Sequence, residues 1–169
     1  MPIVPFATVP DSARVWIQGA AQPVLGADAE RLVVHVESFL RSWTAHGEPV
    51  VSAFDWRYDR FLIIAADEEA TGVSGCSIDA LFRILKEVED ELGVTLLDNS
   101  LVFYRDPSAA VQALARPEFR RLIEAGDIDD RTIVFDNTVG TVGAIRAGEW
   151  ERPFRGSWQE RAFRRPRRV

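Results

Sequence analysis

Residues 50–66 read VVSAFDWRYDRFLIIAA, and this stretch decides the fold that the sequence predicts. Residues 50–58 place their side chains alternately on two faces, which is typical of a strand. Residues 60–66 form a nearly continuous apolar run, which indicates a central strand. The link at residues 58–60 is short enough for a β-hairpin. The stretch therefore predicts an antiparallel pair of strands near the middle of a sheet.

A helix is predicted on each side of this hairpin. Upstream, apolar residues recur at helical spacing over residues 32–43. Downstream, Ser77 is the predicted N-cap of a second helix, which ends at Gly93. Short β-prone segments at residues 14–18 and 101–104 complete the order β-α-β-β-α-β, the ferredoxin-like pattern. We therefore predict an α+β protein with a four-stranded antiparallel sheet and two helices on one of its faces.

The sequence predicts two parts that pack on each other. Residues 1–105 contain the ferredoxin-like core, and residues 106–169 form a small mixed C-terminal extension. Within the extension, residues 117–125 are predicted as a short helix and residues 132–137 as a strand.

The end of the extension combines aromatic and basic residues. Trp150 and Trp158 belong to an aromatic stretch without a clear helical or strand period, and Arg164, Arg165 and Arg167 belong to an arginine-rich tail. Such a segment covers the open face of the sheet or binds a partner protein, and the sequence leaves both readings open. These five residues are the candidates for partner binding.

The composition excludes several classes of protein. The formal net charge is −6 at pH 7, which disfavours broad nucleic-acid binding except through the arginine-rich tail. No apolar run approaches the roughly 20 residues that span a bilayer, so no membrane association is expected. A single cysteine and the lack of an export signal at the N-terminus predict a cytoplasmic protein.

The scarcest residue types lie in two short motifs. Residues 43–47 read WTAHG and residues 74–79 read SGCSID, which hold His46 and the only cysteine, Cys76. In the predicted topology the first helix ends, and the second helix begins, at the same edge of the sheet. We therefore expect the two motifs to lie together, with His46 extending the buried stripe of the first helix.

The start of the second helix is the candidate ligand-binding site. Free N–H groups and the helix dipole stabilise an anion at this position, either a bound phosphate or carboxylate or the thiolate of Cys76. The ligand-binding candidates are Trp43, Ser74, Gly75, Cys76 and Ser77. The alternatives are that the cysteine is a small buried apolar residue and that the serines only cap the helix.

A cysteine-dependent enzyme is the alternative function. In that reading Cys76 is the nucleophile, His46 the base, and Asp67 or Asp79 the residue that orients the histidine. One cysteine and two histidines at uninformative spacing build no zinc site, so no metal is predicted. No phosphate-binding loop, serine-hydrolase elbow or dinucleotide fingerprint is present, so no cofactor is predicted.

The chain resembles a group of short uncharacterised bacterial proteins from the Bacteroidetes and neighbouring phyla. RVWIQ, WTAHG, RYDRFLIIAADE, SGCSID and TIVFDN resemble segments of that group in the same order. Its members often carry the label "ABC transporter ATPase". This sequence lacks the phosphate-binding loop and the lysine of that loop, so the label does not fit it. The resemblance implies no known activity and draws attention to residues 43–47 and 74–79.

The sequence therefore predicts a cytoplasmic binding protein of unknown specificity. Its partner is a small anionic ligand or another protein, bound at the helix start at residues 74–79 next to His46.

Overall fold

The computed structural model describes residues 3–164, which form an α+β protein with antiparallel sheets. In chain order the elements are a 3₁₀ turn (Phe6–Thr8), β1 (Arg14–Gly19), α1 (Gly26–Ser42), β2 (Thr44–Ala45), β3 (Glu48–Pro49), β4 (Ser52–Arg57), β5 (Phe61–Ala66), α2 (Gly75–Leu92), β6 (Leu101–Arg105), β7 (Val111–Ala115), α3 (Arg116–Glu124), β8 (Ile133–Phe135), α4 (Val142–Arg146), β9 (Glu151–Pro153) and α5 (Trp158–Phe163).

The first sheet contains three strands in the order β1-β5-β4. Both pairings are antiparallel, with Trp16 opposite Ile64 and Phe54 opposite the same residue from the other side. The prediction that residues 60–66 form a central strand is confirmed. A separate two-stranded ribbon joins β2 to β3.

Strand β5 is buried on both of its faces. Leu62 and Ile64 pack with the apolar side chains of α1 and α2. Phe61 and Ile63 pack on the opposite face, together with residues of a second sheet. Because successive residues of a strand point to opposite faces, a fully apolar strand needs a covering layer on each side.

The second sheet contains four strands in the order β7-β6-β8-β9. Phe103 of β6 faces the first sheet, whereas Val102 and Tyr104 pack with Phe119 of α3 and Phe163 of α5. The described chain is thus layered as helices, sheet, sheet and helices, with a core between each pair of layers.

The predicted four-stranded ferredoxin-like sheet does not form. Leu101–Arg105 pairs with Val111–Ala115 in the second sheet instead of joining β1. The carboxylate of Asp106 accepts hydrogen bonds from the N–H groups of Ser108 and Ala110, which stabilises the tight turn between the two strands. The boundary predicted between residues 105 and 106 falls between these paired strands.

A strained turn connects the hairpin of the first sheet to the second sheet. Tyr58 and Asp59 have φ values of 57° and 55°, which is the left-handed region that a type I′ turn requires. The Tyr58 ring stacks on Trp150 with the planes 10° apart, and its hydroxyl donates to Glu151 at 2.7 Å. Burial and this hydrogen bond raise the pKa of Tyr58. The contacts fix the turn against β9.

The close approach of the two sheets depends on the absence of a side chain at residue 19. An ideal Cβ on Gly19 would lie 2.4 Å from Cζ of Phe103, well inside van der Waals contact. We expect Gly19→Ala to lower the free energy of unfolding by about 1–3 kcal/mol, as overpacking of a core does. Urea denaturation measures the change.

Gly72→Ala is the matched control, since an added Cβ at Gly72 meets no atom within 4 Å. The double variant Gly19→Ala/Phe103→Leu should recover part of the lost stability, because the smaller side chain makes room for the added methyl group. Equal unfolding free energies for the two single variants would contradict the proposed clash.

Candidate functional site

The two motifs that hold Cys76 and His46 lie side by side. Trp43 follows the last residue of α1 and is only 2% exposed. Its indole Nε1–H donates to the main-chain oxygen of Ser77 at 2.9 Å. Because Ser77 lies in the first turn of α2, this hydrogen bond joins the WTAHG and SGCSID motifs.

His46 lies in the turn between β2 and β3. Ala45 pairs with Glu48, and the two intervening residues, His46 and Gly47, have φ values of 54° and 81°. These values are typical of a type I′ hairpin turn. The His46 side chain is exposed. The expectation that it extends the buried stripe of the helix is wrong, because the extended backbone of Trp43 ends α1 three residues earlier.

Ser74 is the N-cap of α2, and the prediction of Ser77 as the cap is wrong by three residues. The Ser74 hydroxyl accepts from the N–H of Ser77 at 3.2 Å, and the Ser77 hydroxyl accepts from the N–H of Ser74 at 2.8 Å. This reciprocal pair is a capping box, here with serine at both positions. Gly75 and Cys76 lie between the two serines and are exposed.

The three predicted catalytic residues do not form a hydrogen-bonded cluster. Cys76, His46 and Asp79 are all exposed. Among residues 3–164, none of these three side chains takes part in a hydrogen bond or an ion pair. The structure therefore brings Trp43 and the two serines together and leaves the thiol without a hydrogen-bonded base.

The two tryptophans predicted to bind a partner differ in environment. Trp150 is 1% exposed, and its indole N–H donates to Oδ1 of Asn137 at 2.9 Å. It belongs to the core between the two sheets, so the prediction that its side chain is available to a partner is wrong. Trp158 is half-buried on α5 and packs against Phe163.

The arginines of the predicted partner-binding tail are described only in part. The Arg164 guanidinium forms ion pairs within the chain, with Asp130 at 2.6 Å and Glu160 at 2.9 Å. These pairs raise the pKa of Arg164, with the hydrogen bond to Asp130 as the largest cause. Arg165 and Arg167 lie outside the described residues.

Strand β1 lies at the end of the first sheet, and its outer edge is open. The ferredoxin-like pattern, in which β1 is a central strand, does not predict this edge. Successive residues of an antiparallel strand direct their main-chain groups to opposite sides. On the side away from β5, the N–H of Val15 donates to Gly140 at 3.0 Å, and the N–H of Val142 donates to Ala13 at 2.9 Å. The odd-numbered residues of β1 therefore direct their main-chain groups towards this outer edge.

Beyond this short pairing, the outer edge of β1 is unpaired. The chain leaves the edge at Val142, where α4 begins. Within residues 3–164, the C=O of Val15, both main-chain groups of Ile17 and the N–H of Gly19 have no hydrogen-bond partner. Four main-chain groups in a row are thus available on one strand.

A cavity of about 510 Å³ lies along this open edge, and we call it the β1 groove. Its walls are formed by residues from segments 14–19, 98–103 and 135–140, together with Trp158. Strands β6 and β8 are paired at Tyr104 and Val134. The groove is lined by β1 and by residues of the segments that contain these two strands.

Two of the polar side chains that line the groove have buried atoms without partners. Gln18 is 7% exposed, and its Oε1 atom has no hydrogen-bond partner among the described residues. The indole N–H of Trp158 is also buried and unpaired in that part of the chain. Most buried polar groups in folded proteins are hydrogen-bonded, so these two atoms call for an explanation.

One carboxylate positions the loop at the end of the groove. Oε2 of Glu89 accepts from the N–H groups of Leu96 and Leu97 at 2.7 Å and 2.9 Å. Burial acts to raise the pKa of Glu89, but these hydrogen bonds outweigh it and hold the pKa below its ordinary value. The charged carboxylate thereby fixes the start of the loop that carries Asp98 and Asn99 to the groove.

Comparisons with known protein families, with curated proteins and with solved structures find no match. The resemblance to short bacterial proteins therefore stays a prediction. In residues 3–164, no helix is long and apolar enough to cross a membrane. The same residues contain no group of three or more His, Cys, Asp or Glu side chains that could hold a metal ion.

The capping box predicts a measurable loss of stability. Ser74→Ala removes the acceptor of the Ser77 N–H, so we expect the free energy of unfolding to fall by about 1 kcal/mol. Urea denaturation measures the change, with Ser38→Ala as the control, because Ser38 is exposed on α1 and makes no side-chain hydrogen bond among residues 3–164. Equal stability of the two variants would show that the cap contributes nothing.

The lack of a hydrogen bond between Cys76 and a base among residues 3–164 also has a measurable consequence. Iodoacetamide should alkylate Cys76 at neutral pH at rates that agree within about twofold in the wild type and in His46→Ala, because no hydrogen bond links the two side chains. Mass spectrometry follows the reaction. His35→Ala is the control, since His35 pairs with Glu91 at 2.8 Å. A large fall in rate confined to His46→Ala would support the Cys76–His46 enzyme.

Proposed function

We propose that the protein acts by binding a ligand or partner in the β1 groove. The observation that carries the proposal is the side chain of Gln18, a residue that lines the groove and whose buried Oε1 atom has no hydrogen-bond partner among residues 3–164.

The energetics favour an occupied groove. A buried polar atom without a partner costs about 1–3 kcal/mol in folding stability. A ligand that donates a hydrogen bond to Gln18 recovers this energy on binding. The volume of about 510 Å³ lies within the range of about 300–1,000 Å³ that small-molecule sites in proteins occupy.

The residues that line the groove favour the binding of a polar, uncharged group. Two residues that line the groove carry buried and unpaired polar atoms, the acceptor Oε1 of Gln18 and the donor indole N–H of Trp158. Of the charged residues that line the groove, Arg14 pairs with Glu68 at 3.4 Å, and the Asp98 carboxylate keeps its charge while it accepts from the hydroxyl of Ser100. An amide or hydroxyl group complements this arrangement.

The helix start at residues 74–79 is the second candidate site, and anion binding there stays a prediction. The residues Gly75 and Cys76 in its first turn are exposed. The cap already satisfies the N–H of Ser77 through the Ser74 hydroxyl, which leaves less to gain from an anion than at an uncapped helix. The cysteine-dependent enzyme, the other predicted alternative, lacks a hydrogen-bonded base for Cys76 among the described residues.

A fragment library tests the proposed function. We expect amide- and hydroxyl-bearing fragments to shift the ¹H–¹⁵N signals of residues 15–19 in the full chain, with dissociation constants of about 1 mM, as small fragments show. Asn99→Trp places a large ring in the groove, because Asn99 is exposed and lines it. The fragments should no longer shift these signals in that variant.

Glu87→Trp is the matched control, since Glu87 is exposed on α2 and does not line the groove. Fragment binding should persist in this control. If no fragment shifts the signals of residues 15–19, or if Asn99→Trp binds as the wild type does, the β1 groove is not a binding site.

A further inference from the structure

We propose that the occupant of the β1 groove is an extended peptide segment of a partner protein, which pairs with β1 as an additional strand. This inference rests on the proposed function and specifies the class of ligand. It follows from the unpaired main-chain groups, from the pairing that the chain itself begins on this edge, and from the walls of the groove.

The open main-chain groups of β1 have the spacing of a strand ladder. Val15 C=O, Ile17 N–H, Ile17 C=O and Gly19 N–H are unpaired within residues 3–164. Groups on alternate residues of a strand are about 6.6–6.8 Å apart, which matches the repeat of another extended chain. Small rigid ligands rarely carry donors and acceptors at this repeat, whereas every extended peptide does.

The chain itself demonstrates pairing on this edge. Thr141 forms an antiparallel bridge with Arg14, supported by the hydrogen bond from Val15 N–H to Gly140 C=O at 3.0 Å. The preceding residues, 137–139, line the groove and do not pair with β1. A peptide bound in the β1 groove continues the hydrogen-bond ladder of β1 from the position where the pairing with Thr141 ends.

The walls of the groove favour a single extended chain over a second copy of this protein. Segments 98–103 and 135–140 enclose the edge of β1 together with the strand itself. A strand that belongs to a folded sheet brings its neighbouring strands with it, and these walls block such a sheet. A single peptide is thin enough to enter.

The two faces of β1 specify the side chains of the peptide. Directly opposed residues in paired strands place their side chains on the same face. One face presents Ile17 and the Phe103 ring that covers the Cα of Gly19, so this face favours an apolar side chain. The other face presents Gln18, whose free Oε1 accepts a hydrogen bond from a Gln, Asn, Ser or Thr side chain.

Hydrogen exchange tests this inference on the full chain. A random phage-displayed peptide library is first selected for binding to the protein. The probe is a synthetic dodecapeptide with the consensus sequence of the selected clones. In the free protein, the amides of Ile17 and Gly19 should exchange faster than those of Trp16 and Gln18, which face β5. Saturating peptide should slow the Ile17 and Gly19 amides at least about tenfold and change the other two little.

Gln18→Leu tests the contribution of the side chain. The variant removes the unpaired oxygen, so its unfolding temperature should equal or exceed that of the wild type, while peptide affinity should fall at least about tenfold. Gln22→Leu is the matched control, because Gln22 is exposed in the loop after β1 and does not line the groove. The control should bind the peptide as the wild type does.

The outcomes separate the inference from the proposed function. If fragments bind the groove but no peptide is selected, or a selected peptide leaves the Ile17 and Gly19 amides unprotected, the strand inference is overturned and the binding function stands. If fragments also fail, both are overturned. If Ile17 and Gly19 become protected at high protein concentration without peptide, as a dimer forms in sedimentation, the occupant is a second copy and the inference is overturned.

Discussion

The burial of β5 on both faces is the constraint on which the other layers depend. Leu62 and Ile64 face the two long helices, while Phe61 and Ile63 face the second sheet. Each square ångström of apolar surface removed from water contributes about 25 cal/mol, so a two-layer fold with helices on one side leaves a whole face of the first sheet unfavourably exposed. The second sheet and Trp150 therefore form the core that covers the second face of β5.

The open edge of β1 follows from the same arrangement. In a four-stranded sheet, residues 101–105 would pair with β1, but here they pair with β7 and cover the face of the first sheet instead. Gly140 and Thr141 occupy only the first part of the vacated edge. Exposed strand edges promote aggregation unless they are protected. This edge is recessed between the walls of a cavity, which restricts what can pair with it and makes a selective binding site physically reasonable.

The two motifs with the scarcest residues contribute hydrogen bonds that hold α1 and the start of α2 in place. A buried tryptophan needs an acceptor for its indole N–H, and the main-chain oxygen of Ser77 supplies it for Trp43 at 2.9 Å. Ser74 and Ser77 cap each other's N–H groups at the start of α2. Trp43 and the two serines thus make the hydrogen bonds of these motifs, while Cys76 and His46 are exposed.

Side-chain periodicity and turn residues act over a few positions, so the sequence alone predicted strands β1, β4, β5 and β6, the two long helices and the central place of β5. It did not predict the β2–β3 ribbon or the cap of α2. It did not determine which sheet Leu101–Arg105 joins. Val102 and Phe103 lie on opposite faces of that strand and both are buried, so the pattern fits either sheet. The tertiary structure decided this pairing, and with it the open edge of β1 and the isolation of Gln18, because contacts between distant segments depend on how whole layers pack and leave no periodic signal in the sequence.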